Sequence, residues 1–254
     1  MYSELVPFEA YQFFMVFARL SAVVLLMPTL GESYISPRVR LFLALGITLI
    51  TTPIVADRIP PLPDSILALF LLIGGEILIG VFLGQVMRIL SSALSTAGTV
   101  IAFVTGFANA MLFNPMISSQ GSLHSVFLSM LGSVIILATD VHHLMIGAIV
   151  DSYFMFNPGV MPILGDMSNS ITRLVADSFL MGMQLASPFL LLSIMYNVLL
   201  GLLARLMPQF QVFFIGLPLQ IILGLALFGI VISSMMLWFM RYFTEGLSPF
   251  LLLN

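Results

Sequence analysis

Six long runs of apolar residues, separated by short breaks, constrain the fold of this chain more than any other feature. Each run approaches or exceeds the roughly 20 residues that a helix needs to cross a bilayer core. Lipid offers the backbone no hydrogen-bond partners, so such runs are expected to be helical. The sequence therefore predicts an all-α, polytopic, membrane-associated protein. The runs cover residues 10–30, 39–56, 65–87, 123–150, 178–204 and 210–240.

Composition supports this prediction. The 254 residues are 60% hydrophobic and 7% charged, with a net charge of −3 and no cysteine. A soluble domain has about 25% charged residues, so this chain crosses a membrane, is covered by partners, or both. It lacks the basic stripe that binding to nucleic acid requires. We expect a single domain over residues 1–254 and a first apolar run that is retained, since no signal-peptide cleavage site is evident.

The breaks between the runs contain prolines, glycines and polar residues. Pro28 and Gly31 end the first run, and Asn157 to Asp166 form the longest polar connection. A weaker stretch over 91–112 is rich in small residues, and we expect it to be separate from the third run and not to cross the bilayer.

Several ionisable residues lie inside the apolar runs, where each is expected to face protein or water. Two interpretations are open: a proton or ion relay, and a set of buried pairs within the chain or between subunits. The polar candidates are Arg19, Glu76, Arg88, Asp140, Arg205, Gln209 and Gln211.

Asp140, His142 and His143 invite a comparison with metal sites. Neighbouring residues on a helix point about 100° apart and do not readily share one ion. We therefore predict no metal site, and expect Asp140 to cap a helix or lie in a turn.

Glycines recur at helical spacing in the third run and beyond. Gly80 and Gly84 form a GxxxG pair, a spacing that lets two helix backbones approach closely. The residues predicted to serve close helix packing are Gly75, Gly80, Gly84 and Gly98.

The stretch 106–121 is apolar but is broken by Asn114-Pro115 and bounded by glycines. It is either a buried re-entrant corner or a gate element in a channel, because hydrophobic constrictions close pores by dewetting. The predicted gating residues are Gly106, Phe107, Met111, Phe113, Asn114, Pro115 and Met116.

A second unusual segment joins the last two runs. Arg205 and the helix breaker Pro208 are followed by two glutamines, and we predict a hairpin corner with Pro208, Gly216 and Pro218 as its main residues. The pattern Ala-Arg-x-x-Pro-Gln, an aromatic pair and Gly-x-Pro resembles the FliR/SctT family of type III secretion export-gate subunits. The resemblance extends to Arg19, to Glu76 with Gly80 and Gly84, and to a polar turn at 139–143 that would divide the fourth run.

The resemblance implies a structural and gating subunit of the flagellar type III protein-export gate, in the bacterial inner membrane and flagellar basal body. Tilted helical hairpins would pack into a larger hetero-oligomer with FliP-like and FliQ-like subunits, and FlhB-like and FlhA-like components would be further partners. Residues 1–176 would form a FliP-like part and residues 177–254 a FliQ-like hairpin, and 106–121 would match the pore-occluding loop. Unfolded proteins would pass through the gate.

Other functions find less support in the residues. No nucleophile elbow, His-Glu-x-x-His pattern or phosphate-binding loop is present. We therefore predict no enzymatic activity and no cofactor. A small-molecule or ion transporter, with Glu76 and Asp140 in the relay, is the alternative.

Overall fold

A computed structural model describes residues 8–32, 34–107, 122–207 and 212–252, without the side chains of 212–215. In these ranges the chain is almost entirely helical and contains no strand. We number the helices α1 to α7, and two short 3-10 helices follow α2 and α7, at Ala56–Arg58 and Ser248–Phe250. The α-helices are α1 Phe8–Leu26, α2 Pro37–Val55, α3 Ile66–Val104, α4 Leu123–Ala138, α5 Val141–Met155, α6 Leu164–Leu206 and α7 Val212–Leu247.

Five helices are long and apolar enough to cross a membrane, and the pair α4–α5 would make a sixth span. The all-α, polytopic prediction is thereby confirmed for the part of the chain that the structure describes. The pair is bent by 78° at a break between Ala138 and Val141. Asp140 has a φ of 59° there, in the left-handed region. It occupies the N-cap position of α5, but its side chain makes no capping hydrogen bond.

Helix α3 differs from the expectation of a separate stretch over 91–112. It continues without a break for 39 residues, from Ile66 to Val104. Proline is absent from this segment, and hydroxyl groups bond back to carbonyls of the same helix, as Thr99 does to Ser95 at 2.8 Å. Such bonds satisfy the small polar side chains without ending the helix.

Helix α6 also begins earlier than the apolar run predicted. It spans 43 residues from Leu164, with Asp166 in its first turn, where a carboxylate stabilises a helix N-terminus. The polar connection is correspondingly shorter than expected. At about 1.5 Å per residue, α3, α6 and α7 are roughly 50–65 Å long, well beyond a hydrocarbon core of about 30 Å.

The chain divides into two compact units, which interleave along the sequence. Unit 1 comprises residues 1–90, 135–175 and 244–254, and unit 2 comprises residues 91–134 and 176–243. In unit 1, α1 packs against α2, and the Ser248–Phe250 turn packs against α5. The Phe82 ring lies 6.0 Å from that of Phe156 and 6.1 Å from that of Phe250. In unit 2, fully buried rings such as Phe189 and Phe239 form the core.

Candidate functional site

The core of unit 1 contains an ion pair. Arg19 of α1 and Glu76 of α3 are 0% and 1% exposed, and Arg19 Nε donates to Glu76 Oε2 at 2.7 Å. Glu76 is the one buried carboxylate among the residues that the structure describes. Burying two charges removes their hydration, and their attraction compensates only where the geometry is good and the remaining donors are also bonded.

The other donors of Arg19 do find acceptors. Nη1 donates to Ser152 Oγ at 3.1 Å and Nη2 donates to the Phe156 carbonyl at 3.2 Å. The guanidinium carbon lies 3.9 Å from the centre of the Tyr153 ring, a cation–π contact. Helices α1, α3 and α5 and the residue after α5 therefore meet at one charged group. We call Arg19, Glu76, Ser152 and Tyr153 the polar lock.

Two glycines allow α1 and α3 to come together beside this lock. A Cβ on Gly80 would collide with the Arg19 carbonyl oxygen and lie 2.8 Å from Ala22 Cβ, and one on Gly84 would lie 2.7 Å from Leu26 Cβ. By contrast, a Cβ on Gly75 would have no heavy atom within 4 Å. Backbone-to-backbone contact is thus located at positions 80 and 84.

A similar approach occurs in unit 2, between α3 and α4. A Cβ on Gly98 would lie 2.5 Å from the Ser125 nitrogen and 2.7 Å from the His124 carbonyl carbon. His124 is 4% exposed, and its ring is 4.7 Å from that of Phe107 and 5.2 Å from that of Phe228. Its Nδ1 has no hydrogen-bond partner. The ring of Phe107, shortly after the end of α3, therefore packs against the buried imidazole of His124.

A side-chain amide holds the end of α3. Gln220 of α7 donates from Nε2 to the Val104 carbonyl at 2.7 Å. This carbonyl belongs to the last turn of α3, where intrahelical donors run out. Gly106 follows with a φ of 82°. The chain thus enters the stretch 108–121 from a position fixed in unit 2.

Helices α6 and α7 leave most of their apolar surface uncovered. Only 11% of the most apolar window of α6 and 17% of that of α7 is buried. Exposed apolar patches of this extent mark contact with protein or membrane. The large side chains concerned include Leu191, Ile194, Leu202, Leu206, Ile222, Ile230 and Leu237.

The long, exposed apolar helices agree with the comparison to known protein families. A family model described as bacterial export proteins, family 1, matches residues 10–246. The chain belongs to this family of bacterial export proteins. The resemblance to the FliR family that the sequence motifs indicated is thereby confirmed.

Named relatives are similar along nearly their whole length. The flagellar biosynthetic protein FliR of Caulobacter vibrioides is 39% identical, over 92% of this chain and 94% of the relative. The proteins of the same name from Pectobacterium carotovorum and Escherichia coli K12 are each 31% identical, over 87% and 85% of this chain and 84% and 82% of the relatives.

Within this export-family chain, several residues predicted to be buried are not. Arg88 and Arg205 are exposed, and the Asp140 side chain is 76% exposed. Contact with another subunit, the second part of that prediction, stays a prediction for all three. The sequence pattern identified polar residues in apolar runs, but it did not distinguish the inner face of a helix from its outer face.

Asp140, His142 and His143 lie closer together than the sequence argument expected. One ligand atom from each falls within 4.8 Å of the others, and the two imidazole centres are 4.2 Å apart. Such exposed groups are common without an ion, so the prediction of no metal site remains untested.

Other predictions concern residues outside the described ranges. These residues are Met111, Phe113, Asn114, Pro115, Met116, Pro208, Gln209 and Gln211. Gly216 and Pro218, predicted at the hairpin corner, lie inside α7. The Gly216 carbonyl accepts a hydrogen bond of 2.6 Å from the Tyr196 hydroxyl of α6.

Sequence reasoning missed Ser152, Tyr153, Tyr196 and Gln220. Each is an ordinary polar residue in a helical run, with no spacing motif to mark it. Gln220 carried a signal, since it is an amide well inside the last apolar run.

Proposed function

We propose that this chain is a structural and gating subunit of the flagellar type III protein-export gate in the bacterial inner membrane. Unfolded flagellar proteins would leave the cytoplasm through the channel that it forms with its partners. The names of the relatives support the flagellar assignment. Two observations carry the structural role: the apolar surface of α6 and α7 is exposed, and the charged pair of unit 1 is buried and bonded within that unit.

The exposed apolar surface of α6 and α7 favours assembly with partner subunits over a monomer. Helices α6 and α7 exceed the thickness of a bilayer core, so lipid alone does not cover their full apolar length. FliP-like and FliQ-like subunits would cover the remainder, with FlhB-like and FlhA-like components nearby. We propose that residues 1–176 take the FliP-like position and residues 177–254 the FliQ-like position.

The stretch 106–121 is proposed as the gate. Its first residues, Gly106 and Phe107, are held against Gln220 and His124. A gate element needs such a fixed base, since a segment that moved at both ends would not return to one closed position. Its apolar composition fits closure by exclusion of water.

Co-purification tests the assembly. The chain should form one particle with its co-expressed FliP-like and FliQ-like partners, and should aggregate when purified alone. Ile230→Glu should abolish particle formation, whereas the matched Ile230→Leu should preserve it. A monodisperse, stable monomer in detergent would contradict the proposal.

Ion conductance tests the gate. Particles that lack residues 108–121 should leak ions in liposomes, and intact particles should stay closed. Replacement of 108–121 by a Gly/Ser segment of the same length keeps the chain length but removes the apolar side chains, so it should also leak. If neither variant leaks ions, the segment has a structural role and is not the gate.

A transporter would behave differently in the same liposomes. The chain without partners would move an ion or small solute, and Glu76→Gln would stop it. We expect no such transport, because Glu76 is already bonded to Arg19 at 2.7 Å. Transport by the folded chain alone would overturn the export-gate assignment.

A further inference from the structure

Unit 1 contains a second feature that neither the polar lock nor the export role uses. A cleft of about 610 Å³ lies between α1, α2 and α3. This size is within the range of small-molecule pockets, about 300–1,000 Å³. We call it the three-helix cleft. Four large apolar side chains line it and are each 39–57% exposed, namely Leu25, Leu41, Ile77 and Val81.

One cation lies among these apolar side chains. Arg40, in the first turn of α2, lines the cleft. Its Nη2 donates to the carbonyls of Glu32 at 2.7 Å and Ile35 at 2.9 Å. These bonds fix the guanidinium in place but do not neutralise it, and its Nε has no partner.

Arg40 is the one charged residue among the described residues that line the cleft. No carboxylate lines it, and none of the described residues forms an ion pair with Arg40. Arg38, exposed in the same turn, adds a second positive charge. The other polar lining groups, Ser21 and Gln85, are neutral. The cleft therefore presents an apolar wall with an uncompensated positive charge.

The position of Arg40 along α2 selects the kind of ligand. The candidate membrane span begins at Pro37, so Arg40 is only three residues inside its end. A cation there lies near the headgroups of a bilayer, while the apolar wall continues into the region of the acyl chains. Basic pockets between membrane helices bind the headgroups of anionic lipids.

We propose that the three-helix cleft binds an anionic phospholipid, with its phosphate at Arg40 and an acyl chain along Leu25, Leu41 and Val81. One molecule then provides both a negative charge for Arg40 and an apolar chain that covers the exposed wall of the cleft. A membrane helix of a partner would need a carboxylate at the matching depth to do the same. This inference does not depend on the export role.

Lipid retention tests the proposal. The full chain, with whatever partners it carries, is purified in mild detergent and exchanged against phosphatidylglycerol or phosphatidylcholine. Bound lipid per chain is then measured by mass spectrometry. We expect phosphatidylglycerol to be retained preferentially, and Arg40→Gln to lower its retention about fivefold, the effect of one lost basic residue at an anionic surface.

Two further variants separate binding from folding. Ser21→Phe fills the cleft and leaves Arg40 in place, so it should also abolish retention. Arg58→Gln is the matched control, because Arg58 stacks on Phe154 at 4.0 Å and does not line the cleft. It should retain phosphatidylglycerol as the unaltered chain does. Equal retention of the two lipids, or full retention by both Arg40→Gln and Ser21→Phe, would overturn the proposal.

Crosslinking distinguishes a lipid from a protein occupant. The chain has no cysteine, so Val39→Cys, exposed next to Arg40 but outside the cleft lining, provides one attachment point for a benzophenone maleimide. Irradiation in native membranes should yield a phospholipid adduct on the chain. An adduct with a second polypeptide instead would show that a partner subunit fills the cleft, and would exclude the lipid.

Discussion

At the scale of single residues, charged side chains differ in whether they are buried and hydrogen-bonded or exposed. Arg19 donates to a carboxylate, a hydroxyl and a carbonyl and lies over an aromatic ring. Arg205, which stood out equally in the sequence, is exposed in this chain. The same residue type thus serves as an internal lock in one helix and as a surface group in another.

Removing one member of the lock should be costly. Glu76→Gln leaves the Arg19 charge buried without a counter-charge, and we expect a loss of about 3–5 kcal/mol in stability. The melting temperature of the purified particle and the amount of chain in membranes measure this loss.

The double variant Arg19→Met, Glu76→Leu is the informative comparison. Apolar replacement of a whole buried pair is often neutral, so it should be more stable than Glu76→Gln alone. A double variant as unstable as the single one would show that the hydrogen bonds to Ser152 and Phe156, rather than charge balance, maintain the lock.

The Asp140 side chain is exposed, but its backbone adopts a left-handed conformation. Its φ of 59° disfavours residues with a Cβ, by roughly 1–2 kcal/mol for an ordinary residue. Asp140→Gly should therefore be as stable as the unaltered chain or more so, and Asp140→Ala about 1 kcal/mol less stable. Equal melting temperatures for the two variants would contradict the left-handed turn.

At the scale of the elements, close helix contacts fall at particular glycines. Gly98 allows α3 to contact the backbone of α4, and Gly80 allows it to contact α1. The spacing of small residues indicated that helices would pack closely, but not which glycines would be in contact. That depends on how the helices cross, which the sequence of one helix does not contain.

Paired alanine substitutions test this distinction. Gly98→Ala places a Cβ 2.5 Å from the Ser125 nitrogen, a backbone atom that has little room to move, and should destabilise α3 against α4 by several kcal/mol. Gly75→Ala meets nothing within 4 Å and gains helix propensity of up to about 1 kcal/mol. Protease resistance of the chain in membranes should fall for the first variant only.

At the scale of the whole molecule, most of the apolar surface of α6 and α7 faces outwards. A buried core needs the chain to fold back on itself, whereas these helices keep their large side chains exposed. These two helices therefore leave apolar side chains available to lipid and partners, whereas the buried charges of unit 1 are bonded within the chain.

A charge on that outer surface tests this reading. Ile230 is 77% exposed in the middle of α7. Ile230→Arg should cost about 2.5–3.5 kcal/mol if the position faces hydrocarbon, and should reduce the amount of chain in the membrane fraction. Ile230→Phe should not. Unchanged membrane content for Ile230→Arg would show that the position does not face hydrocarbon.

Much of the fold followed from the sequence. The apolar runs predicted the helices, and the polar turn at 139–140 marks the break between α4 and α5. The extents of α3 and α6 were wrong, because small and polar residues continue a helix when their hydroxyls bond back to it. At the candidate site, Arg19 and Glu76 were identified individually, but their partners Ser152 and Tyr153 were not.

The sequence by itself determined that this chain is helical, bound to a membrane and a member of an export family, since run length, composition and local motifs are properties of contiguous residues. Only the tertiary structure decided that Arg19 pairs with Glu76, 57 positions away. It also decided that Gly98 but not Gly75 touches a neighbouring helix, and that Arg40 lines an apolar cleft. These facts depend on which faces of separate helices meet. A helix has residues on all its faces, and only tertiary packing determines which face contacts a neighbour.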